Sequence, residues 1–143
     1  MLWLGVFALL FSGCTTTRQA GDLTVADLFA HPAKFNGQRV AVVGYYESSY
    51  EDSSLYNARD QTNIPLNKDG VFTRSIWVDS GSDRLSHRYV RVVGVFHYQP
   101  KFRRTIETRD DGRKYESIDP QGYGHLGLWP AELADVAFFR PLR

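Results

Sequence analysis

A mainly β fold, built as a small five-stranded barrel with a short N-terminal helix, is what the sequence predicts. Residues 39–46 run Arg39-Val40-Ala41-Val42-Val43-Gly44-Tyr45-Tyr46, and residues 89–96 echo them as Tyr89-Val90-Arg91-Val92-Val93-Gly94-Val95-Phe96. Side chains two apart share one face of a strand, so Val40, Val42, Gly44 and Tyr46 line one side as Val90, Val92, Gly94 and Phe96 do in the copy. Both glycines fall at the same step. A glycine inside a β-branched run leaves nothing to pack, and its use there is a bend, a bulge or a close backbone approach. Two long strands bent at matching points suit a small, strongly coiled barrel. The chain of 143 residues, 43% hydrophobic and 14% aromatic, supplies a core for one such domain.

Taken in order, residues 2–11 are almost unbroken apolar sequence, followed by Ser12-Gly13-Cys14 and then polar residues. Ten residues of helix rise about 15 Å, half of a hydrocarbon core of about 30 Å, which suits a signal-peptide core rather than a membrane span. Thr24 is a good N-cap for a short helix, with Asp27 as its capping partner and Val25, Leu28 and Phe29 on one face. His31-Pro32 ends that helix, and Pro32 opens a single further turn through Phe35. Leu28, Phe29 and Phe35 are expected to plug one end of the barrel. Asn36-Gly37 turns the chain into the first long strand.

After Tyr46 the sequence predicts a polar loop over residues 47–53, then a short strand over 55–58, then a loop with Asn63, Pro65, Asn67, Asp69 and Gly70. Residues 75–79 alternate, with Ile76 and Val78 inward and Trp77 on the other side. Asp79 to Asp83 form a turn, residues 84–88 allow one helical turn, and the second long strand covers 89–98. Residues 99–124 are irregular and charged, with Asp111-Gly112 as a hairpin tip, and suggest a protruding arm. Gly124-His125-Leu126-Gly127-Leu128 re-enters the body, and residues 134–139 form the last strand. Its apolar residues alternate poorly, so both of its faces are expected to be covered.

Five strands, two of them long and bent, fit a partly open Greek-key barrel of the OB type, in which the first and fourth strands lie side by side. The chain also resembles an uncharacterised family of small bacterial OB-like proteins and lipoproteins. The shared pattern is residues 31–45, Leu55-Tyr56, Ile76-Trp77-Val78, residues 90–96 and residues 124–128. The resemblance covers roughly residues 25–140. It implies a fold and carries no settled activity, so no catalytic residue transfers with it.

Leu10-Phe11-Ser12-Gly13-Cys14 resembles the lipobox of bacterial lipoproteins. That resemblance implies cleavage before Cys14, thioether lipidation of its sulfur and acylation of the new amine. Thr15 after the cysteine, rather than Asp, implies onward sorting to the outer membrane. The expected organisation is a signal peptide over residues 1–13, a lipidated N-terminus and tether over 14–23, and the barrel domain over 24–143. The partner so implied is a membrane, reached through lipid on Cys14, and the location is the cell envelope.

Net charge is +1, so no bulk field draws in polyanions and any such site is local. With one cysteine, no internal disulfide forms. His31, His87, His97 and His125 lack zinc spacing, and Asp79-x-Gly81-x-Asp83 has the outline of a calcium loop without the further oxygens one needs. No glycine elbow, phosphate-cradling loop or nucleophile-base pattern is present. No cofactor, metal or catalytic residue is therefore expected.

Binding has more support, because OB folds bind on the face of strands two and three, flanked by the loops after strands one and four. Those regions hold Tyr50, Tyr56 and Trp77, with Lys101, Phe102, Arg103, Arg104 and Tyr115. Aromatic side chains stack on bases for about 1–3 kcal/mol each, and cations follow an anionic backbone. The leading expectation is a membrane-anchored envelope lipoprotein whose barrel binds an envelope protein or glycan without chemistry of its own. The alternatives are a single-stranded nucleic-acid or oligosaccharide binder and, third, an envelope hydrolase.

Overall fold

The structure, a computed structural model, describes residues 16–62 and 74–143, apart from the side chains of Phe102 and Ile118. Cys14 and the expected signal peptide lie outside the described residues, as do Asn63, Pro65, Asn67, Asp69 and Gly70. Short strand β1 (Leu23–Thr24) leads into helix α1 (Val25–Ala30) and the one-turn helix α2 (Pro32–Phe35). Thr24 caps α1: its hydroxyl accepts from the Asp27 amide while the Asp27 carboxylate accepts from the Thr24 amide, and this bonding holds the Asp27 pKa below 3.8. Val25 and Leu28 are buried, and Phe29 and Phe35 pack against the core, so the expected plug forms.

The barrel strands are β2 (Arg39–Ser49), β3 (Asp52–Tyr56), β4 (Ser75–Val78), β5 (Arg88–Tyr98) and, later in the chain, β8 (Ala131–Pro141). The ring runs β2-β3-β4-β8-β5 and closes because β5 also pairs with β2. Only the β4–β8 contact in that ring is parallel. The chain therefore forms a closed five-stranded Greek-key barrel of OB type. The two matching strands are neighbours: Gly44 lies opposite Val90, and Val40 opposite Gly94.

Each glycine marks a close approach. A Cβ on Gly44 would sit 2.6 Å from the Tyr56 carbonyl oxygen, and one on Gly94 would sit 2.8 Å from that of Ala134. β2 pairs with β5 up to Tyr46 and with β3 from Tyr45 onward, so it changes partners just past its glycine. Val40, Val42, Tyr46, Val90, Val92 and Phe96 point into the core with Leu55, Ile76, Val78 and Leu133. Full burial of each such side chain contributes about 1.5–3 kcal/mol relative to exposure. The buried tip of Tyr46 is satisfied by Ser53 Oγ at 3.0 Å, which donates to the Val78 carbonyl at 2.8 Å.

Four details differ from the sequence reading. Residues 47–49 continue β2, so the expected loop over 47–53 shrinks to a two-residue turn at Tyr50 and Glu51. β3 ends at Tyr56 instead of covering 55–58. β8 is longer than 134–139, and its weak alternation comes from a bulge: Val93 pairs with Phe138 but Val95 with Ala134, and Asp135 has φ 47°. Two steps along β5 span four along β8 there, so Leu133 and Phe139 both face the core on either side of the bulge, and Asp135, Ala137 and Arg140 remain exposed, so its outer face is not covered.

The stretch ahead of β1, expected as a tether, is fastened to the barrel. The Thr16 amide donates to the Pro141 carbonyl at 2.8 Å and the Arg143 amide to the Thr16 carbonyl at 2.9 Å. Asp22, almost fully buried, accepts from Arg91 Nε at 2.9 Å.

Candidate functional site

The outer face of β3 and β4 is where an OB barrel holds its ligands. Alternation places Asp52, Ser54 and Tyr56 on that face of β3, and Ser75 and Trp77 beside them on β4, with Ser54 opposite Trp77 and Tyr56 opposite Ser75. The face is closed. Trp129, only 2% exposed, lies over it with its ring centroid 4.9 Å from that of Trp77. Its indole N–H donates to Ser54 Oγ at 2.8 Å, and the Ser54 hydroxyl donates in turn to the Asp52 carboxylate. Burial pushes the Asp52 pKa up from 3.8, against the pull of that hydroxyl.

The loop that carries Trp129 is shaped to reach this position. Gly124 has φ 68° and lies so close to the indole of Trp77 that a Cβ would sit 2.5 Å from its ring. The Tyr123 amide donates to the Trp129 carbonyl and the Trp129 amide to that of Tyr123, at 2.7 and 3.2 Å, which pinches the loop shut. His125 Nε2 then meets Glu51 Oε2 at 3.2 Å, clipping the loop to the β2–β3 turn.

Of the residues expected to bind, Tyr56 is buried, and burial, aided by the negative charge of Asp52, pushes its pKa up to about 12. Trp77 is covered by Trp129. Tyr50, at 91% exposed, stands alone on the two-residue turn. The others belong to the expected arm, a separate hairpin of β6 (Phe102–Thr108) and β7 (Lys114–Pro120), with Lys101 just before it. Its tip is closed by the Gly112 amide donating to the Arg109 carbonyl at 2.8 Å.

Register divides the arm's candidates. Arg103 and Tyr115 fall on one face and Arg104 on the other, where its Nε meets Glu116 at 2.7 Å. Arg109 lies 4.2 Å from the Tyr115 ring centroid, and Ile106 is exposed. Phe102 pairs with Pro120 at the base of the hairpin. The candidates thus form no single cleft.

Trp129 is the residue the sequence reading missed. A tryptophan at the end of a glycine-rich stretch, just before Pro130, had the signal of a large ring that must find cover. Further round the face, Glu132 lies opposite both Trp77 and His97, and burial raises its pKa from 4.5 against the lowering effect of His97. No group of metal-binding side chains occurs among the described residues. Comparison with known protein families, curated proteins and solved structures finds no match.

Proposed function

We propose that this protein is a lipid-anchored envelope lipoprotein whose OB-like barrel is an interaction module, held to the outer membrane by Cys14 and performing no chemistry of its own. The observation that supports it most is the division of the barrel surface. The usual ligand face is sealed by the chain's own Trp129, whereas the arm stands clear of the barrel sheet and offers a partner Ile106 on one face and Arg103, Arg109 and Tyr115 on the other. An envelope protein suits this arm better than a glycan or a single strand, because stacking on Tyr56 and Trp77 requires Trp129 to leave. The nearest approach to a hydrolytic pair, His125 with Glu51, is partly exposed and clips a loop rather than lining a cleft.

Photo-crosslinkers placed at Arg104 and at Trp77 in intact cells test the reading. The expected result is one discrete protein adduct from the Arg104 site and none from the Trp77 site. Capture of glycan or nucleic acid from Trp77 would overturn it. Palmitate labelling that disappears in a Cys14→Ser variant is expected in the same cells, and labelling that persists would remove the anchor.

A further inference from the structure

We propose that the end of the barrel made by the start of β5 and the end of β8 docks on the bilayer, its groove receiving the phosphate headgroups of anionic phospholipids. The proposal rests on the Cys14 anchor and adds an orientation to it. The clasp between Thr16, Pro141 and Arg143 belongs to this end. Cys14 is two residues upstream, and two residues of chain reach at most about 7 Å. Acyl chains hold Cys14 at the boundary of the hydrocarbon core, and each headgroup layer beyond that boundary is about 5–7 Å deep. The clasp therefore lies at headgroup level whatever path Cys14 and Thr15 take.

A groove of about 470 Å³ opens beside the clasp, lined by Arg88, Tyr89, Pro141, Leu142 and Arg143. The lining suits an anionic lipid surface point by point. Arg88 and Arg143 bring guanidinium forks that match phosphate oxygens, and among the described residues no carboxylate side chain lines the groove. Tyr89, 47% exposed, is the amphipathic ring typical of the headgroup layer, while Pro141 and Leu142 form an apolar wall.

Arg140 is exposed on the same strand end. Of the acidic groups near this end, Asp22 is paired with Arg91 at 2.9 Å, Glu47 lies 3.4 Å from His87 Nδ1, and Asp83 accepts from the Ser48 hydroxyl. Exposed Asp60 is offset by its neighbour Arg59, whose amide reaches the Tyr89 hydroxyl at 3.4 Å. With a whole-chain charge of only +1, the grouping of Arg88, Arg140 and Arg143 at one end is not a by-product of a basic protein.

The orientation has a geometric corollary. β5 and β8 each run 11 residues from this end to the base of the arm. At about 3.3 Å per residue that is roughly 30 Å, so docking aims the arm away from the bilayer.

The test uses the acylated protein in vesicles of phosphatidylethanolamine with phosphatidylglycerol. Lipidation blocks the Cys14 thiol, so a fluorophore can be placed on Arg140→Cys or, at the arm, on Ser117→Cys. Headgroup-level spin-labelled lipids are expected to quench the Arg140→Cys probe several-fold more than the Ser117→Cys probe. Each arginine near an anionic surface strengthens docking about fivefold, so Arg88→Gln with Arg143→Gln shifts the docked fraction about 25-fold and brings quenching down to the arm's level. Replacing phosphatidylglycerol by phosphatidylcholine, which leaves the protein untouched, is expected to do the same. Equal quenching of the two probes, or quenching indifferent to both changes, overturns the proposal. Mass spectrometry separates the two failures: an unmodified Cys14 defeats the anchor, whereas acylated protein with equally quenched probes defeats the docking alone.

Discussion

Trp129 shows how one side chain decides what a barrel surface can do. Its ring replaces whatever an open face would stack, and its N–H feeds a short chain of donors through Ser54 to Asp52. Trp129→Ala is expected to cost about 3–5 kcal/mol, read as a lower urea midpoint, because it removes a buried aromatic ring and leaves Ser54 short of a partner. Asp52 behaves in the opposite sense. Its folded pKa lies above 3.8, so as pH rises past that value the unfolded chain releases its proton first. The folded state then holds more protons, and stability falls until the folded pKa is passed. Asp52→Asn is expected to raise the urea midpoint at neutral pH, with the advantage over wild type growing from pH 4 upward and then levelling. An advantage independent of pH would show that the charge is not the cause.

At the scale of elements, the arm and the bulge of β8 show how far periodicity reaches. The hairpin was legible from Asp111-Gly112 and its flanking charges because turn chemistry is local. Its independence from the barrel sheet follows from position: the Gln121 amide donates to the Lys101 carbonyl at 2.9 Å, so the arm leaves and returns at one point. Replacing residues 102–120 with a short glycine-serine turn is expected to leave the melting temperature within a few degrees of wild type. A large loss of stability would place the arm in the folding core. The bulge at Asp135 was not legible, since extra residues inside a strand look in sequence like poor alternation.

At the scale of the molecule, the barrel was written in Val40 to Tyr46 and Val90 to Phe96, whose alternation survives because each strand has one face in the core. The binding surface was harder to read. Tyr56 and Trp77 stood where a ligand would sit, but their cover comes from a tryptophan more than fifty residues downstream of Trp77, and no local pattern carries such a contact. The N-terminal fastening escaped for the same reason: Thr16 finds its partners at the other end of the described chain. One further consequence follows from the tilted indoles of Trp77 and Trp129, 4.9 Å apart at 60°. Two chromophores so close and so inclined couple their electronic transitions, giving a paired-sign circular dichroism band that exists only while the loop is down. In the mature protein proposed above, which starts at Cys14 and so lacks Trp3, these are the only tryptophans. Anything that displaced the loop would extinguish that band and redden the fluorescence, so the unlabelled molecule carries its own optical gauge of whether the face is open.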